Sequence, residues 1–247
     1  MGNGSLDGKV IAVTGGCSGI GLAIVTKLIS MKAKVAVADI GPLPTELASA
    51  PNLIYTTVDV TSREQIKAWI AELVEKFGRL DGMCANAGIT PWEGGEGTTS
   101  EALYDKIFAV CTLGVWNCGT EAYFQFERQG GGGVLVNTAS AAGVSGFPGM
   151  PVYCGAKHAV VGFTRSWATT WGGKGIRVNA VAPGFIETPA QKSLFKDHTA
   201  LEPFPAAVPL GRIGQPGEIA DTVIFLLGDT SSFMTGQVLS VNGGHGV

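Results

Sequence analysis

The stretch TGGCSGIG, residues Thr14 to Gly21, follows an apolar run and opens a helical pattern. Gly15 permits a tight turn, Gly19 lets the backbone approach a pyrophosphate, and Gly21 allows the helix to pack closely on the sheet. Free N–H groups and a partial positive charge at the start of the helix favour a phosphate group there. The stretch therefore predicts a dinucleotide-binding turn between a strand and a helix. The turn is completed by Cys17, Ser18 and Ile20.

Apolar runs typical of buried strands alternate with helical patterns along the whole chain. The predicted strands, in order, are KVIAVTG, KVAVADI, NLIYTTVDV, LDGMCANAG, GVLVNTAS, IRVNAVAPG and GQVLSV. Helices are predicted from a capping box at Thr61 and Glu64, from about Glu101 to Arg128, and from Pro216 to Leu227. This alternation indicates an α/β fold with a parallel sheet covered by helices on both faces. No linker or composition break divides residues 1–247, so we expect a single domain.

The composition narrows the class of protein. Hydrophobic residues make up 45% of the 247 residues and charged residues only 15%, which favours a large buried core over disorder. The formal net charge is -3 and there is no basic run, so no nucleic-acid partner is expected. No apolar run is long enough to cross a bilayer, so no membrane association is expected.

The N-terminus and the cysteines bear on the cellular compartment. The first ten residues lack the charged and apolar regions of a signal peptide, and residues 1–6 are expected to form a mobile leader. The cysteines are odd in number, with 5 in the chain, and form no CxxC pair. This indicates free thiols in a reducing compartment and no metal site. The sequence therefore predicts a cytoplasmic protein.

Two acidic residues are candidates for contacts with the adenosine part of a dinucleotide. Asp39 closes the second strand, at the distance from the glycine-rich turn where a carboxylate bonds the ribose hydroxyls. A carboxylate there would repel a 2'-phosphate, and GGCSG holds no arginine or lysine, so NAD(H) is predicted over NADP(H). Alternatively, Asp39 caps a turn before Gly41. Asp59, taken together with Val60, would lie near the adenine or cap the following helix.

Tyr153 and Lys157, four residues apart, would stack on one face of a helix. The pentapeptide YCGAK alone is also consistent with a polar stripe on the surface. A phenol with a pKa of about 10 is a poor base at neutral pH, but a neighbouring ammonium group stabilises the phenolate and lowers that pKa. Ser140 stands thirteen positions before Tyr153, where it would hold a substrate oxygen or only cap a turn in TASAAG.

Together these motifs resemble the short-chain dehydrogenase/reductase family over essentially the whole chain. TGGCSGIG is similar to the family's cofactor turn, and Ser140, Tyr153 and Lys157 match its Ser...Tyr-x-x-x-Lys set. GRIGQPGEIA and MTGQVLSVNGG are similar to its late signatures. Two further motifs match, the fourth-strand NAG and the segment VAPGFIET that closes over the nicotinamide. Their matching residues are Asn86, Ala87 and Gly88, and Pro183, Gly184, Ile186 and Thr188.

The resemblance implies a Rossmann-type doubly wound fold with a seven-stranded parallel sheet, assembled as a homotetramer or homodimer. It also implies an NAD(H)-dependent oxidoreductase that interconverts a secondary alcohol and a ketone. In that reaction Tyr153 acts as acid and base, Lys157 lowers its pKa and binds the nicotinamide ribose, and Ser140 holds the substrate oxygen. Two other functions stay open: an isomerase or cyclase derived from this family, and a non-catalytic dinucleotide-binding regulator.

One residue departs from the family pattern. Aligning FAVCTLGVW on Gly114 puts Cys111 where the family has an asparagine that positions a proton-relaying water. A cysteine has no amide, although its backbone carbonyl would still be able to hold that water. Asn117 lies too far along the helix to replace the asparagine.

A hydrophobic, cyclic small molecule is the expected substrate. Residues 188–212 are predicted to form the substrate-binding loop, because a loop this long in a compact domain is usually functional. Alternatively, its apolar side chains only pack the loop onto the domain. The predicted apolar contacts are Trp92, Phe147, Met150, Leu194, Phe195, Pro203, Phe204 and Pro205.

Overall fold

Seven parallel strands form one sheet in the computed structural model, which describes residues 6–93, 99–194 and 204–246. The strands are β1 (Val10–Thr14), β2 (Lys34–Asp39), β3 (Leu53–Thr57), β4 (Gly82–Ala85), β5 (Gly133–Thr138), β6 (Ile176–Pro183) and β7 (Val238–Val241). Their order across the sheet is β3-β2-β1-β4-β5-β6-β7, and every pairing is parallel. The predicted doubly wound, seven-stranded parallel sheet is confirmed.

Helices connect the strands and cover both faces of the sheet. They are α1 (Gly19–Ser30), α2 (Arg63–Phe77), α3 (Glu101–Phe108), α4 (Gly114–Gln129), α5 (Pro151–Trp171), α6 (Pro189–Leu194), α7 (Phe204–Ala207) and α8 (Pro216–Leu227). Alternate residues of β1 enter different cores, because successive side chains of a strand point to opposite faces. Ala12 packs with α2, α4 and α5, whereas Ile11 and Val13 pack with α1 and α8.

Two helix boundaries differ from the prediction. The N-cap of α2 is Ser62 rather than Thr61, and its side chain accepts a hydrogen bond from the Gln65 N–H. The helix predicted from Glu101 to Arg128 is interrupted by a π-helical turn at Ala109–Leu113, in which the Gly114 N–H bonds the Ala109 carbonyl. Neither difference has a signal in hydrophobic spacing, because a neighbouring cap and one wide turn leave the apolar face nearly unchanged.

The two ends of the chain are placed differently. Residues 1–5 of the predicted leader lie outside the described residues, but Leu6 is 2% exposed and packs in the core. The C-terminal residues Asn242 and His245 are held by hydrogen bonds to each other.

All five cysteines are free thiols. Among the described helices, none is both long and apolar enough to span a membrane.

Gly21 is where the first helix packs most closely on the turn that precedes it. A Cβ atom at this position would stand 1.9 Å from the Gly15 carbonyl oxygen and 2.7 Å from the Asn86 side-chain nitrogen. Neither neighbour is free to move, since one is backbone and the other is hydrogen-bonded. Gly21 is therefore required by packing rather than by its own backbone angles.

Gly21→Ala is expected to lower the free energy of unfolding by at least about 2 kcal/mol, because the added methyl group has no space. Gly162→Ala is the matched control, since a Cβ built at this position in α5 has no described atom within 4 Å apart from its chain neighbours and the adjacent backbone of its own helix. It should raise the free energy of unfolding by about 0.5–1 kcal/mol through helix propensity. Urea denaturation measures both, and equal effects would contradict this packing role.

Candidate active site

The order in which the chain adds strands to the sheet reverses between the neighbours β1 and β4. From β1 the chain continues to β2 and β3 on one side, and from β4 it continues to β5, β6 and β7 on the other. Ligands bind such sheets in the crevice at the carboxyl ends of the strands. Asn86 joins the two strands there, because its side-chain nitrogen donates to the carbonyl oxygens of Thr14 (3.1 Å) and Gly15 (3.2 Å). The Thr14 hydroxyl in turn accepts from the N–H groups of Asn86 (3.1 Å) and Ala87 (3.2 Å).

The glycine-rich turn has the shape that a dinucleotide requires. Gly15 has a φ of +64°, and a Cβ there would stand 2.8 Å from the Ala87 Cα. Gly19 has a φ of +52° and faces the Thr188 side chain. Among the described residues the Ser18 side chain does not cap α1, so N–H groups of its first turn are available to an anion. The residues present therefore fit a pyrophosphate group.

Asp39 closes β2 beside this turn. Its two carboxylate oxygens accept from the N–H groups of Cys17 (2.9 Å) and Gly41 (2.9 Å). The carboxylate keeps lone-pair capacity for a further hydroxyl donor. Burial, the Asp39 charge and a hydrogen bond to Asp39 raise the pKa of the Cys17 thiol to about 11, so this thiol stays protonated near neutral pH. Asp39 thus caps the turn before Gly41, which was the alternative role considered from the sequence, and it also lines the cavity.

Asp59 holds the loop before α2 but does not cap this helix, whose N-cap is Ser62, and its place near the adenine stays a prediction. It lines the cavity with Val60, and its carboxylate accepts from the Thr61 N–H (2.9 Å) just before α2. Asn117 reaches the same loop from α4, where its side-chain nitrogen donates to the carbonyl oxygens of Val60 (2.9 Å) and Thr61 (3.3 Å). This wall of the cavity is therefore held by an amide for which the sequence suggested no role.

One cavity of about 800 Å³ runs from Asp39 to Tyr153. Of the residues predicted for the site, Cys17 and Gly21 do not line it, although both shape the turn beneath it. The predicted residues that do line it are Gly15, Ser18, Gly19, Ile20, Asp39, Asp59, Val60, Asn86, Ala87, Gly88, Ser140, Tyr153, Lys157, Pro183, Gly184, Ile186 and Thr188. The cavity is thus continuous from the glycine-rich turn to the tyrosine and lysine pair.

Tyr153 and Lys157 lie on the buried face of α5, at 7% and 3% exposure, and not on a surface stripe. The Lys157 ammonium donates to the Thr138 carbonyl oxygen (2.9 Å) and stands 5.8 Å from the centre of the Tyr153 ring. A Cβ at Gly88 would come within 3.5 Å of the ammonium nitrogen. The positive charge is therefore held at the end of β5, close to the phenol ring.

Ser140 both caps a turn and faces the cavity. Its hydroxyl oxygen accepts from the Ala142 N–H (3.1 Å), which is the capping role that the sequence left open. Accepting that bond leaves the hydroxyl proton free to be donated. Ser140 is thus able to donate a hydrogen bond to an oxygen atom in the cavity while it caps the turn.

Cys111 lies in the π-helical turn between α3 and α4 and is fully buried. Its thiol donates to the Ile89 carbonyl oxygen (3.3 Å), and its sulfur accepts from the Ile89 N–H (3.5 Å). The thiol therefore satisfies both backbone groups of the residue that follows Gly88. This contact gives Cys111 a structural role beside Lys157 that does not need an amide.

The segment after β6 forms the wall opposite the tyrosine. Gly184 packs on Asn242, where a Cβ would meet the Asn242 Cα at 2.7 Å. Ile186 is 5% exposed and pairs with Gly214 in a short parallel bridge. The Thr188 hydroxyl accepts from the Gln191 N–H (3.1 Å) and caps α6. These contacts hold the predicted nicotinamide-closing segment against the mouth of the glycine-rich turn.

Aromatic rings form the far end of the cavity. Phe147 and Met150 line it as predicted, together with Phe185, whose ring meets Phe147 edge to face at 6.2 Å. The His245 ring packs on both phenylalanines, at 5.3 Å and 4.9 Å. Trp92 is 52% exposed and is not among the lining residues. The predicted contacts from residues 188–212 lie outside the side chains that the structure describes: Leu194, Phe195, Pro203, Phe204 and Pro205.

Two residues near the site had not been singled out from the sequence. Phe185 stands between Gly184 and Ile186, so the VAPGFIET motif contained the signal for it. Glu93 is 4% exposed, and its carboxylate accepts from the N–H groups of Val152 and Tyr153. Its partners are 59 and 60 positions away in sequence, so no local pattern marks it.

A family model described as enoyl-(acyl carrier protein) reductase matches residues 15–245. This chain belongs to the short-chain dehydrogenase/reductase family. A 2,5-dichloro-2,5-cyclohexadiene-1,4-diol dehydrogenase of Sphingobium indicum is 40% identical over 243 residues, which cover 97% of each chain. Levodione reductase of Leifsonia aquatica is 36% identical and covers 96% of this chain and 94% of its own.

Solved structures agree with the family assignment. A crystal structure of levodione reductase superposes with a TM-score of 0.90 at 35% identity, covering 96% of this chain and 97% of the other. The structure of ElxO with NADP bound has a TM-score of 0.88 at 30% identity, covering 96% and 98%. Because the similar proteins are named dehydrogenases and reductases, the chain is an oxidoreductase of this family.

Cys111→Ala is expected to destabilise the protein more than Cys84→Ala, by about 1 kcal/mol, because it leaves both backbone groups of Ile89 unpaired. Cys84 is equally buried, and burial alone raises the pKa of its thiol to about 12, so its removal changes only packing. Thermal unfolding of the two variants measures the difference. Equal losses of stability would show that the Cys111 thiol acts only as a packed side chain.

Proposed function

We propose that this protein is an NAD(H)-dependent oxidoreductase that interconverts a secondary alcohol and a ketone on a hydrophobic, cyclic small molecule. The observation that carries the proposal is the continuous cavity. It brings a glycine-rich turn and Asp39 together with a buried Tyr153, Lys157 and Ser140. A dinucleotide bound along this cavity would extend from Asp39 toward the tyrosine.

The chain's own residues supply the proton chemistry. The nicotinamide, when bound, exchanges a hydride with the carbinol carbon of the substrate. Tyr153 takes the proton of the substrate hydroxyl during oxidation and returns it to the carbonyl oxygen during reduction. The Thr138 carbonyl holds the Lys157 ammonium close to the phenol ring, where its positive charge assists this proton transfer. Ser140 donates a hydrogen bond from its hydroxyl to the substrate oxygen and orients that oxygen toward Tyr153.

Asp39 supports NAD(H) as the cofactor. Its carboxylate faces the cavity where the adenosine ribose would bind, and the next residue is Ile40, which is 77% exposed and carries no charge. A 2'-phosphate there would meet a negative charge and no cation on either of these two residues. The similar protein ElxO has NADP bound, so this preference is a property proposed for this chain's own residues.

The proposed substrate is a ring that bears a secondary alcohol or a ketone. Phe147, Met150 and Phe185 line the end of the cavity beyond Tyr153, which suits an apolar ring. The named substrates of two similar proteins, a cyclohexadiene-1,4-diol and levodione, support a small molecule with two oxygen functions. The expectation of a cytoplasmic homotetramer or homodimer stands with this proposal, and light scattering of the purified protein checks the assembly.

Tyr153→Phe is expected to lower kcat for oxidation of cyclic secondary alcohols and diols by a factor of about 100 or more, because the proton acceptor is lost. Binding of NAD is expected to stay within about twofold, since the dinucleotide contacts assigned to the glycine-rich turn and Asp39 remain. NADH absorbance follows the reaction, and fluorescence titration follows binding. Equal rates for the two proteins would contradict the role of Tyr153. A wild type that binds NAD but oxidises or reduces nothing in a broad panel would favour a regulator.

The double variant Asp39→Ala with Ile40→Arg is expected to shift the ratio of NADPH to NADH affinity by about tenfold or more toward NADPH. The change removes the repelling carboxylate and adds a guanidinium that binds phosphate. Asp59→Ala is the control, because a loss of adenine contacts should weaken both cofactors alike. If NADPH binds the wild type more tightly than NADH does, the cofactor assignment is wrong.

A further inference from the structure

Glu93 is a buried acidic residue in the segment that follows the NAG motif. Its side chain is 4% exposed and accepts three hydrogen bonds. One carboxylate oxygen accepts from the Tyr153 N–H (2.8 Å), and the other accepts from the Val152 N–H (3.0 Å) and the Thr99 hydroxyl (2.6 Å). A buried carboxylate with this many partners is satisfied and held in one orientation.

These contacts supply the N-terminal cap that α5 otherwise lacks. The N-cap residue Met150 provides no side-chain acceptor, and Pro151 occupies the first helical position, where no N–H is needed. The next two N–H groups, of Val152 and Tyr153, have no partner within the helix. Glu93 satisfies both from outside, and its negative charge is favourable at the positive end of the helix dipole.

The segment from Gly88 to Glu93 contacts both members of the tyrosine and lysine pair. At one end, Gly88 lies against the Lys157 ammonium, since a Cβ there would be 3.5 Å from it. Next to it, Ile89 is held by the Cys111 thiol. At the other end, Glu93 binds the backbone of Tyr153 itself. The first turn of α5 is therefore fixed by the same segment that borders the ammonium group.

We propose that Glu93 is a positioning residue for the Tyr153 phenol. Its carboxylate fixes the first turn of α5 and thereby the point from which the tyrosine side chain enters the cavity. Misplacement of a reacting group by a small distance costs a large factor in rate, because the reacting atoms must be close and aligned. This proposal rests on the acid and base role proposed for Tyr153.

Glu93→Ala is the direct test. We expect kcat to fall by about tenfold or more, while KM for NAD and its dissociation constant change by less than about twofold. In the same protein, hydrogen–deuterium exchange should become faster at the amides of Val152 and Tyr153 and stay unchanged at the glycine-rich turn. Activity is measured well below the midpoint of thermal unfolding, so that loss of folded protein does not enter kcat.

Two further variants separate positioning from general stability. Glu93→Gln keeps one oxygen for the Tyr153 N–H, and it should restore kcat to within about threefold of wild type. Ser100→Ala removes the cap of α3, where the serine accepts from the Leu103 N–H, and leaves the side-chain contacts of Glu93 unchanged. It should keep kcat within about twofold, whatever its effect on the unfolding temperature.

The proposal is overturned if Glu93→Ala keeps the wild-type kcat, or if Glu93→Gln loses as much activity as Glu93→Ala. It is also overturned if Ser100→Ala lowers kcat to the same extent. Failure of the proposed function gives a different result, because Tyr153→Phe would then be as active as wild type. The exchange of the Val152 and Tyr153 amides reports on the cap in either case, and unchanged exchange in Glu93→Ala overturns the inference independently of activity.

Discussion

The site depends on the join between the carboxyl ends of β1 and β4. The connection that follows β1 and the connection that follows β4 lie on opposite sides of the sheet. A crevice therefore opens between them at the carboxyl ends of these two strands. Asn86 holds the two ends together by bonding the carbonyl oxygens of Thr14 and Gly15. Because the glycine-rich turn begins at Gly15 and the NAG segment begins at Asn86, this join sets the width of the crevice. Every other part of the site is placed relative to these two turns.

Helix α5 brings Tyr153 and Lys157, the proposed acid and base pair, to that crevice and is held from three directions. Lys157 bonds the Thr138 carbonyl at the end of β5. Gly143 packs under the same residue so closely that a Cβ would meet the Lys157 carbonyl oxygen at 2.7 Å. Glu93 binds the first turn of the helix. Because the helix and the ammonium group are held this firmly, the proposed pair needs little backbone rearrangement when a substrate arrives, which is what preorganisation requires.

Most of the fold could be predicted because its signals are local. A buried parallel strand appears as a short apolar run, and the turn after β1 requires glycine for reasons that act within a few residues. The predicted helix boundaries were wrong where a single turn of a helix differs in geometry from the turns beside it. The π-helical turn at Ala109–Leu113 and the cap at Ser62 leave the apolar spacing almost unaltered. Cys111 shows the same limit, since its two bonds to Ile89 have no signal in the sequence around either residue.

The sequence by itself determined the α/β class, the cofactor turn, and the pairing of Tyr153 with Lys157 on one helix. These properties follow from strand and helix periods and from the steric needs of glycine, all of which act over a short stretch of chain. Only the tertiary structure decided that the pair is buried and that Ser140 keeps a free hydroxyl proton. It alone placed Glu93 on the backbone of Tyr153. The contact between Glu93 and Tyr153 joins groups 60 residues apart, and its distance exists only once the chain has folded.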